Sequence, residues 1–156
     1  MLVYEIPGKE KIEIQNVVFD YNGTIAVDGK VLEGVEELFV ELDKHVDIYI
    51  LTADTYGTVA KECSRLPGKV WTFPKENAGE SKRDIVKRLG GQNTLVVGNG
   101  FNDIPMFQES ILSIAVIEGE GACGKLLSHA HIVARSIKEA LEIILSENKV
   151  KATLRN

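Results

Sequence analysis

Cysteine and histidine are scarce in this sequence. Cys63 and Cys123 are its two cysteines, and neither belongs to a CxxC pair or a Cys/His cluster. That argues against a zinc site and leaves two reduced, partly buried thiols. The histidines are His45, His129 and His131. His129 and His131 alternate in Ser-His-Ala-His-Ile, which would turn both to one face of a strand, but no third metal ligand follows nearby. Long apolar runs are also missing, and nothing approaches the ~20 residues of a membrane span. The N-terminal stretch carries Glu5, Lys9, Glu10 and Lys11 and has no signal-peptide core. Excess positive charge is absent too. The formal net charge is -5 and the sequence pI ≈ 5.3, which argues against a nucleic-acid partner. There is no internal repeat, low-complexity tract or linker. These absences predict one cytoplasmic globular domain over residues 1–156, with no membrane or nucleic-acid partner.

What is present is a hydrophobic content of 44%, enough for a sizeable core. It is organised around Val17-Val18-Phe19-Asp20-Tyr21-Asn22-Gly23-Thr24. Three apolar residues in a row suit a strand buried on both faces of a parallel sheet. Asp20 at its C-terminal end stands where open α/β sheets place their ligands. Residues 2–6 and 11–15 read as strands of a hairpin leading into it. Residues 25–32 contain Asp28-Gly29, a hairpin-turn signal. Further strands are expected over 46–51, 70–73, 94–97, 111–117 and 131–134. Helices are expected over 34–44, 55–64, 81–89, 104–109, 122–128 and 137–146. Residues 147–156 are polar and are expected to be loose. Alternating strands and helices from Val17 onward predict right-handed crossovers and a mostly parallel sheet with helices on both faces.

Four features fall at strand ends or helix starts. Asp20 is a carboxylate that could attack phosphorus or bind Mg²⁺, and the Asn22 carbonyl could join it as a ligand. Asp20 could equally cap a turn. Thr52, after a strand, could hold a phosphate oxygen or cap the next helix, a role Asp54 and Thr55 would fill as well. Lys82 is placed in the first turn of a helix, where the helix dipole disfavours a cation, so its place invites a reason. An anionic phosphoryl group would be one, and Lys75 in the preceding loop is the competing candidate. Gly98-Asn99-Gly100-Phe101-Asn102-Asp103 lets the backbone pass close to a ligand, with Asn99 and Asp103 offering oxygens to a cation and Asn102 arranging them. A plain loop capped by Asn102 or Asp103 is the other reading.

Taken together, these segments resemble the four motifs of the haloacid dehalogenase-like (HAD) phosphotransferase superfamily. The closer likeness is to the phosphorylation domain of P-type ATPases and to small stand-alone soluble P-type ATPase-like proteins. It runs over about residues 15–145. The resemblance implies a Rossmann-like three-layer α/β sandwich, a capless HAD core with an N-terminal hairpin, Mg²⁺, and an aspartyl-phosphate intermediate. It assigns Asp20 as nucleophile, with Asn22, Thr52 and Lys82 as its catalytic companions. Gly23, Thr52, Ala53, Lys82 and Asn102 would hold phosphate, and Asp20, Asn22, Asn99 and Asp103 the metal. Residues 25–32 would be the family's flap hairpin.

Two positions depart from the usual pattern. Phosphatases of the superfamily carry an acid–base aspartate where this chain has Asn22, and an amide cannot transfer that proton. Asn99 stands where a metal-binding aspartate is usual, so Mg²⁺ would bind without that charge. The soluble ATPase-like branch carries the same asparagine pair. Neither the Asp20–Thr52 nor the Thr52–Lys82 interval leaves room for a cap domain of ~50 residues. The site is therefore expected to be open. An open site suits a large substrate, a phosphoprotein, or closure by a neighbouring subunit; the expected partners are a phosphorylated small molecule or a phosphoprotein, and a second copy in a homo-oligomer. The expected activity is slow Mg²⁺-dependent phosphohydrolysis through Asp20. The rival is a non-catalytic phosphate- and metal-binding module that kept the fold.

Overall fold

The computed structural model describes residues 1–54 and 56–156. Its centre is β3 (Asn16–Asp20), buried along its whole length. The strand lies between β6 (Asp47–Thr52) and β8 (Thr94–Gly98), parallel to both, with Phe19 level with Ile50 on one side and Val97 on the other. β7 (Lys69–Thr72) continues the sheet beyond β6. β9 (Leu112–Val116) and β10 (Ile132–Ala134) continue it beyond β8. The six strands run in the order β10-β9-β8-β3-β6-β7, every pairing parallel.

The alternation of side chains along β3 builds two cores. Val17 and Phe19 face one layer with Ile48, Ile50, Leu95 and Val97. That layer is closed by α1 (Val35–Asp43), α6 (Ile137–Ile144) and the antiparallel hairpin β1 (Leu2–Tyr4) and β2 (Ile12–Ile14). Phe19 meets Phe39 of α1 with ring centroids 4.7 Å apart. Val18 faces the other layer with Tyr49, Leu51, Val96 and Ala115. There α3 (Ala78–Leu89) contributes Ile85 and Val86, α4 (Ile104–Glu109) contributes Met106 and Phe107, and α5 (Gly124–Leu127) contributes Leu126. A strand buried on both faces must be apolar throughout, which is why Val17-Val18-Phe19 is unbroken.

The chain leaves β3 toward β6 and β7, then crosses back through α3 to β8 on the far side. The order therefore reverses between β3 and β8. Loops leaving the two strands part in opposite directions and open a crevice beyond their C-terminal ends. The flap β4 (Ala26–Val27) and β5 (Lys30–Val31) turns at Asp28 and Gly29, both with positive φ, as the Asp-Gly pair predicts. Among the described residues no cap domain interrupts either loop next to the crevice.

Three expectations need correction. Residues 147–156 are not loose: α7 (Glu147–Leu154) is capped by the Ser146 hydroxyl, which accepts the Lys149 N–H at 3.3 Å, and it buries Val150 beside the hairpin. A single buried valine left too little apolar periodicity to signal it. The helix expected over 55–64 is α2 (Thr58–Glu62), starting after Gly57 at φ 82, and Thr55 lies outside the described residues. Lys82 is not in the first turn of its helix. α3 begins at Ala78, so Lys82 lies a full turn inside, where the dipole no longer bears on it.

Candidate active site

Each strand that ends at the crevice delivers one part of the site. β3 delivers Asp20, β6 delivers Thr52, the loop after β8 delivers Asn99 through Asp103, and α3 sends Lys82 in from one side. Asp20, Asn22, Thr52, Ala53, Lys82, Asn99 and Asn102 line a single cavity of about 360 Å³. Seven of the nine residues picked out by sequence thus meet on one wall-to-wall surface. Gly23 and Asp103 stand behind it.

Lys82 is the hub. Its side chain is 2% exposed, and its Nζ donates to Asp20 Oδ1 at 3.0 Å, Asn102 Oδ1 at 2.7 Å and Asp103 Oδ1 at 2.8 Å. Three acceptors match the three protons of an ammonium. Burial alone would lower the Lys82 pKa, but the charges of Asp103 and Asp20 and their hydrogen bonds raise it above its ordinary value. It stays protonated. Lys75 is exposed at the rim of the same cavity, so the buried cation beside Asp20 is Lys82.

Asp103 is fully buried. Its Oδ1 faces Lys82, and its Oδ2 accepts the N–H groups of Asn99 and Gly100, each at 3.0 Å. The carboxylate therefore shapes the loop and holds the lysine, with both oxygens already engaged. A Cβ on Gly98 would lie 2.5 Å from Asp103 Oδ2, so glycine is needed there for the loop to close on that carboxylate.

Two buried carboxylates share one ammonium, so the cluster carries an uncompensated negative charge. Asp20 shows it. Burial first, and then the neighbouring Asp103 charge, push its pKa up to about 7, against the opposing pull of Lys82. A divalent cation would balance that charge, and the unused oxygens suit one. Lys82 bonds Asp20 Oδ1, and Asp20 Oδ2 accepts the Thr24 hydroxyl at 3.4 Å. Asn99 Oδ1 lies 3.3 Å from the same hydroxyl. The turn after β3 uses the carbonyls of Tyr21 and Ala26 for its own hydrogen bonds, which leaves the Asn22 carbonyl for a ligand. These are hard oxygens, the donors that Mg²⁺ prefers. Among the described residues no three His, Cys, Asp or Glu side chains converge, so amide and carbonyl oxygens must serve beside Asp20.

Thr24 and Glu120 escaped the sequence reading. Thr24 is fully buried and its hydroxyl sits between Asp20 and Asn99, a position visible only once β3 and β8 are neighbours. Glu120 comes from the turn after β9 and lines the cavity from across the sheet. In the sequence it is one acid in a Gly-rich turn, with no signal of its destination.

Gly23 has a positive φ of 78, and a Cβ there would fall 2.3 Å from Asn99 Nδ2. Gly23→Ala is therefore strained twice over. It should push Asn99 off its place and lower Tm, and, if Asn99 helps hold a divalent cation, weaken that cation's binding by tenfold or more. A Mg²⁺-binding titration beside a thermal melt checks both.

Thr52 is nearly buried, and its Oγ1 accepts the Asp54 N–H at 3.1 Å, leaving its proton free for a phosphate oxygen. The capping role falls to Asp54, whose carboxylate accepts the N–H groups of Val59 and Tyr56 and is held below the usual carboxylate range by them. The two histidines do not form a metal pair. The His131 ring turns to β9, where its Nδ1 accepts the Ser113 N–H at 3.1 Å, and burial lowers its pKa.

A lysine-bridged carboxylate pair thus lies beneath a Gly-Asn-Gly loop at the reversal point of a parallel sheet, where open α/β folds place their ligands. Residues 2–110 match the family model described as haloacid dehalogenase-like hydrolase. The chain belongs to the haloacid dehalogenase-like hydrolase family. A relative in Methanocaldococcus jannaschii, named soluble P-type ATPase-like phosphatase, is 31% identical over 124 residues, covering 77% of this chain and 45% of its own length. The chain thus spans less than half of that relative. Among solved structures, the cobalt-bound deoxy-D-mannose-octulosonate 8-phosphate phosphatase of Haemophilus influenzae superposes with a TM-score of 0.70 at 15% identity, covering 91% of each chain. The 3-deoxy-D-manno-octulosonate 8-phosphate phosphatase of Moraxella catarrhalis, solved with magnesium, phosphate and KDO, gives 0.66 at 15% identity over 90% of this chain and 89% of that one. These neighbours confirm the HAD fold, with its six-stranded parallel sheet and flanking helices.

Proposed function

We propose that this HAD protein is a Mg²⁺-dependent phosphohydrolase of the soluble P-type ATPase-like kind, in which Asp20 is phosphorylated. The observation that carries the reading is the buried Lys82 ammonium held 3.0 Å from Asp20 Oδ1 on the wall of an open cavity. A structural ion pair needs no cavity, whereas a nucleophile beside a phosphate-binding cation does.

The phosphoryl group would be held by the Thr52 hydroxyl, the Ala53 backbone N–H, the Lys82 ammonium and the Asn102 amide. Asp20 attacks phosphorus and the leaving oxygen departs toward the open mouth. Water then cleaves the aspartyl phosphate and restores the carboxylate. Asp20, Asn99 and the Asn22 carbonyl would seat Mg²⁺, with Asp103 contributing charge from behind Lys82. Mg²⁺ there supplies positive charge against the phosphoryl oxygens. With an amide at Asn99 the ion binds more weakly than with a carboxylate.

The substrate is a phosphorylated small molecule or a phosphoprotein, since no cap encloses the mouth. The likeness to the ATPase branch extends to the phosphorylation unit alone, so ATP is not assigned as substrate. Among the described residues no helix is long and apolar enough to cross a membrane, and a cytoplasmic setting fits the two free thiols.

Incubation with Mg²⁺ and ³²P-acetyl phosphate should leave acid-stable, hydroxylamine-sensitive label on Asp20, and beryllium fluoride should block it. Absence of label, or equal label in Asp20→Asn, overturns the reading. Asn22→Asp restores a carboxyl where the family has its acid–base group. It should raise turnover of p-nitrophenyl phosphate by about 10²-fold, the low end of what such a group supplies.

The rival, a binding module without turnover, draws on Asn22 and Asn99. It predicts Mg²⁺ and phosphate binding with no label on Asp20 and no gain from Asn22→Asp.

A further inference from the structure

The reaction proposed above needs a proton for the leaving oxygen and a base for the attacking water, and Asn22 can provide neither. Among the residues on the cavity wall, the groups that carry protons are few. Asp20 is the nucleophile. Lys82 is committed to three oxygen acceptors and raised above its ordinary pKa by its two carboxylate neighbours, and Lys75 is a rim amine rather than a carboxyl like the group that Asn22 replaces. Thr52 is an alcohol. Neither cysteine and none of the three histidines lines the cavity. That leaves Glu120.

Glu120 is exposed at the mouth, and among the described residues its carboxylate makes no ion pair or hydrogen bond with the protein. Its backbone is nonetheless fixed. Asn99 Nδ2 donates to the Gly121 carbonyl at 3.1 Å, and the Cys123 N–H donates to the Asn99 carbonyl at 2.8 Å. Glu118 and Gly121 pair across the turn, and the Glu118 Oε1 accepts the Ile137 N–H at 2.7 Å at the start of α6. A free carboxylate therefore rides on a turn bolted to the loop that carries Asn99. Asp20 and the exposed Glu120 line the same cavity, so a leaving oxygen displaced opposite Asp20 departs into the space that Glu120 borders.

We infer that Glu120 is the proton donor to the leaving group and the proton acceptor from the attacking water, in the place of the acid–base aspartate that Asn22 replaces. This rests on the phosphohydrolase reading. In the first step the Asp20 oxygen bonds to phosphorus, the P–O bond to the alcohol breaks, and the departing oxygen keeps the electron pair and takes the Glu120 proton. In the second, water bonds to phosphorus and gives a proton to the Glu120 carboxylate, and the P–O bond to Asp20 breaks. The products are alcohol and inorganic phosphate, with both carboxyl groups restored.

Glu120→Gln tests it. Turnover of ethyl phosphate, whose alkoxide leaves poorly, should fall at least tenfold. Labelling of Asp20 by acetyl phosphate, whose leaving group needs no proton, should proceed at the wild-type rate, and the label should persist at least tenfold longer. In an Asn22→Asp background the same change should cost less than threefold, because the aspartate takes over. Three results overturn the inference: unchanged alkyl phosphate turnover with wild-type label lifetime, an equal loss for every leaving group with a raised Mg²⁺ requirement, or full additivity of the two substitutions. A wild-type protein that never labels on Asp20 refutes the phosphohydrolase reading itself, and the role of Glu120 falls with it. Because the residue is exposed, an unchanged Tm should accompany the variant.

Discussion

Asp20→Asn is expected to abolish turnover, by on the order of 10⁴-fold or more, while making the metal-free protein more stable. The loss follows from removing the attacking carboxylate. The gain follows from electrostatics. Asp20 and Asp103 are buried together against one ammonium. Removing one charge leaves Lys82 and Asp103 as a balanced pair, and the new amide oxygen can still accept from Lys82. At pH 8 without Mg²⁺ the variant should gain about 1 kcal/mol or more, which is roughly 2–4 °C in Tm for a chain of this size.

The same physics gives a pH signature. Asp20 has a folded-state pKa raised from 3.8 to about 7. Between those values the native state holds a proton that the unfolded chain has released, so the stabilisation is complete below the unfolded value and is lost as pH rises through the folded one. Metal-free wild type should lose stability over that interval, with a slope of at most about 1.4 kcal/mol per pH unit for one proton. Asp20→Asn should remove that contribution to the slope. Saturating Mg²⁺ should flatten it, because a cation beside Asp20 favours the ionised form. Urea melts from pH 4 to 8, with and without Mg²⁺, read all three. A wild-type curve that rises with pH where the variant's does not would show that Asp20 ionises without penalty.

Lys82→Met is the opposite case. It removes the shared ammonium and leaves two carboxylates facing each other in a site that water scarcely reaches. Breaking a buried pair in this way costs about 3–5 kcal/mol, which lowers Tm by about 10 °C. Asn102 loses its 2.7 Å partner as well, so the phosphate cradle loosens with the cation. The double variant Lys82→Met/Asp20→Asn should recover a large part of the stability and none of the activity. That non-additivity separates a charge effect from simple loss of packing. Equal destabilisation in the single and double variants would mean that Lys82 acts by filling buried space rather than by its charge beside Asp20; its Nζ also lies 5.6 Å from the Phe73 ring centroid. Lys82→Arg should not substitute, because a planar fork cannot reach the three acceptors that converge on one nitrogen.

The sequence was most legible where one local pattern had one structural outcome. The apolar run ending at Asp20 is a buried central strand because no other element tolerates three apolar residues facing two cores. Asp28-Gly29 turns as a hairpin because its backbone needs two positive φ values. It was least legible at chain ends and helix starts. Residues 147–154 hide a helix whose support is one valine and a serine cap. The start of α3 at Ala78 could not be read from Glu76-Asn77-Ala78-Gly79, where Asn77 adopts a positive φ.

By itself the sequence determined the order of the elements, the parallel sheet and the choice of Asp20 and Lys82 as the residues to bring together, because burial patterns and residue chemistry are local properties. Only the tertiary structure decided which oxygens Lys82 occupies, that both Asp103 oxygens are engaged, and that Glu120, from the turn after β9, lines the cavity. Those are distances between segments remote in the chain, set by how helices and strands pack. No local pattern encodes them.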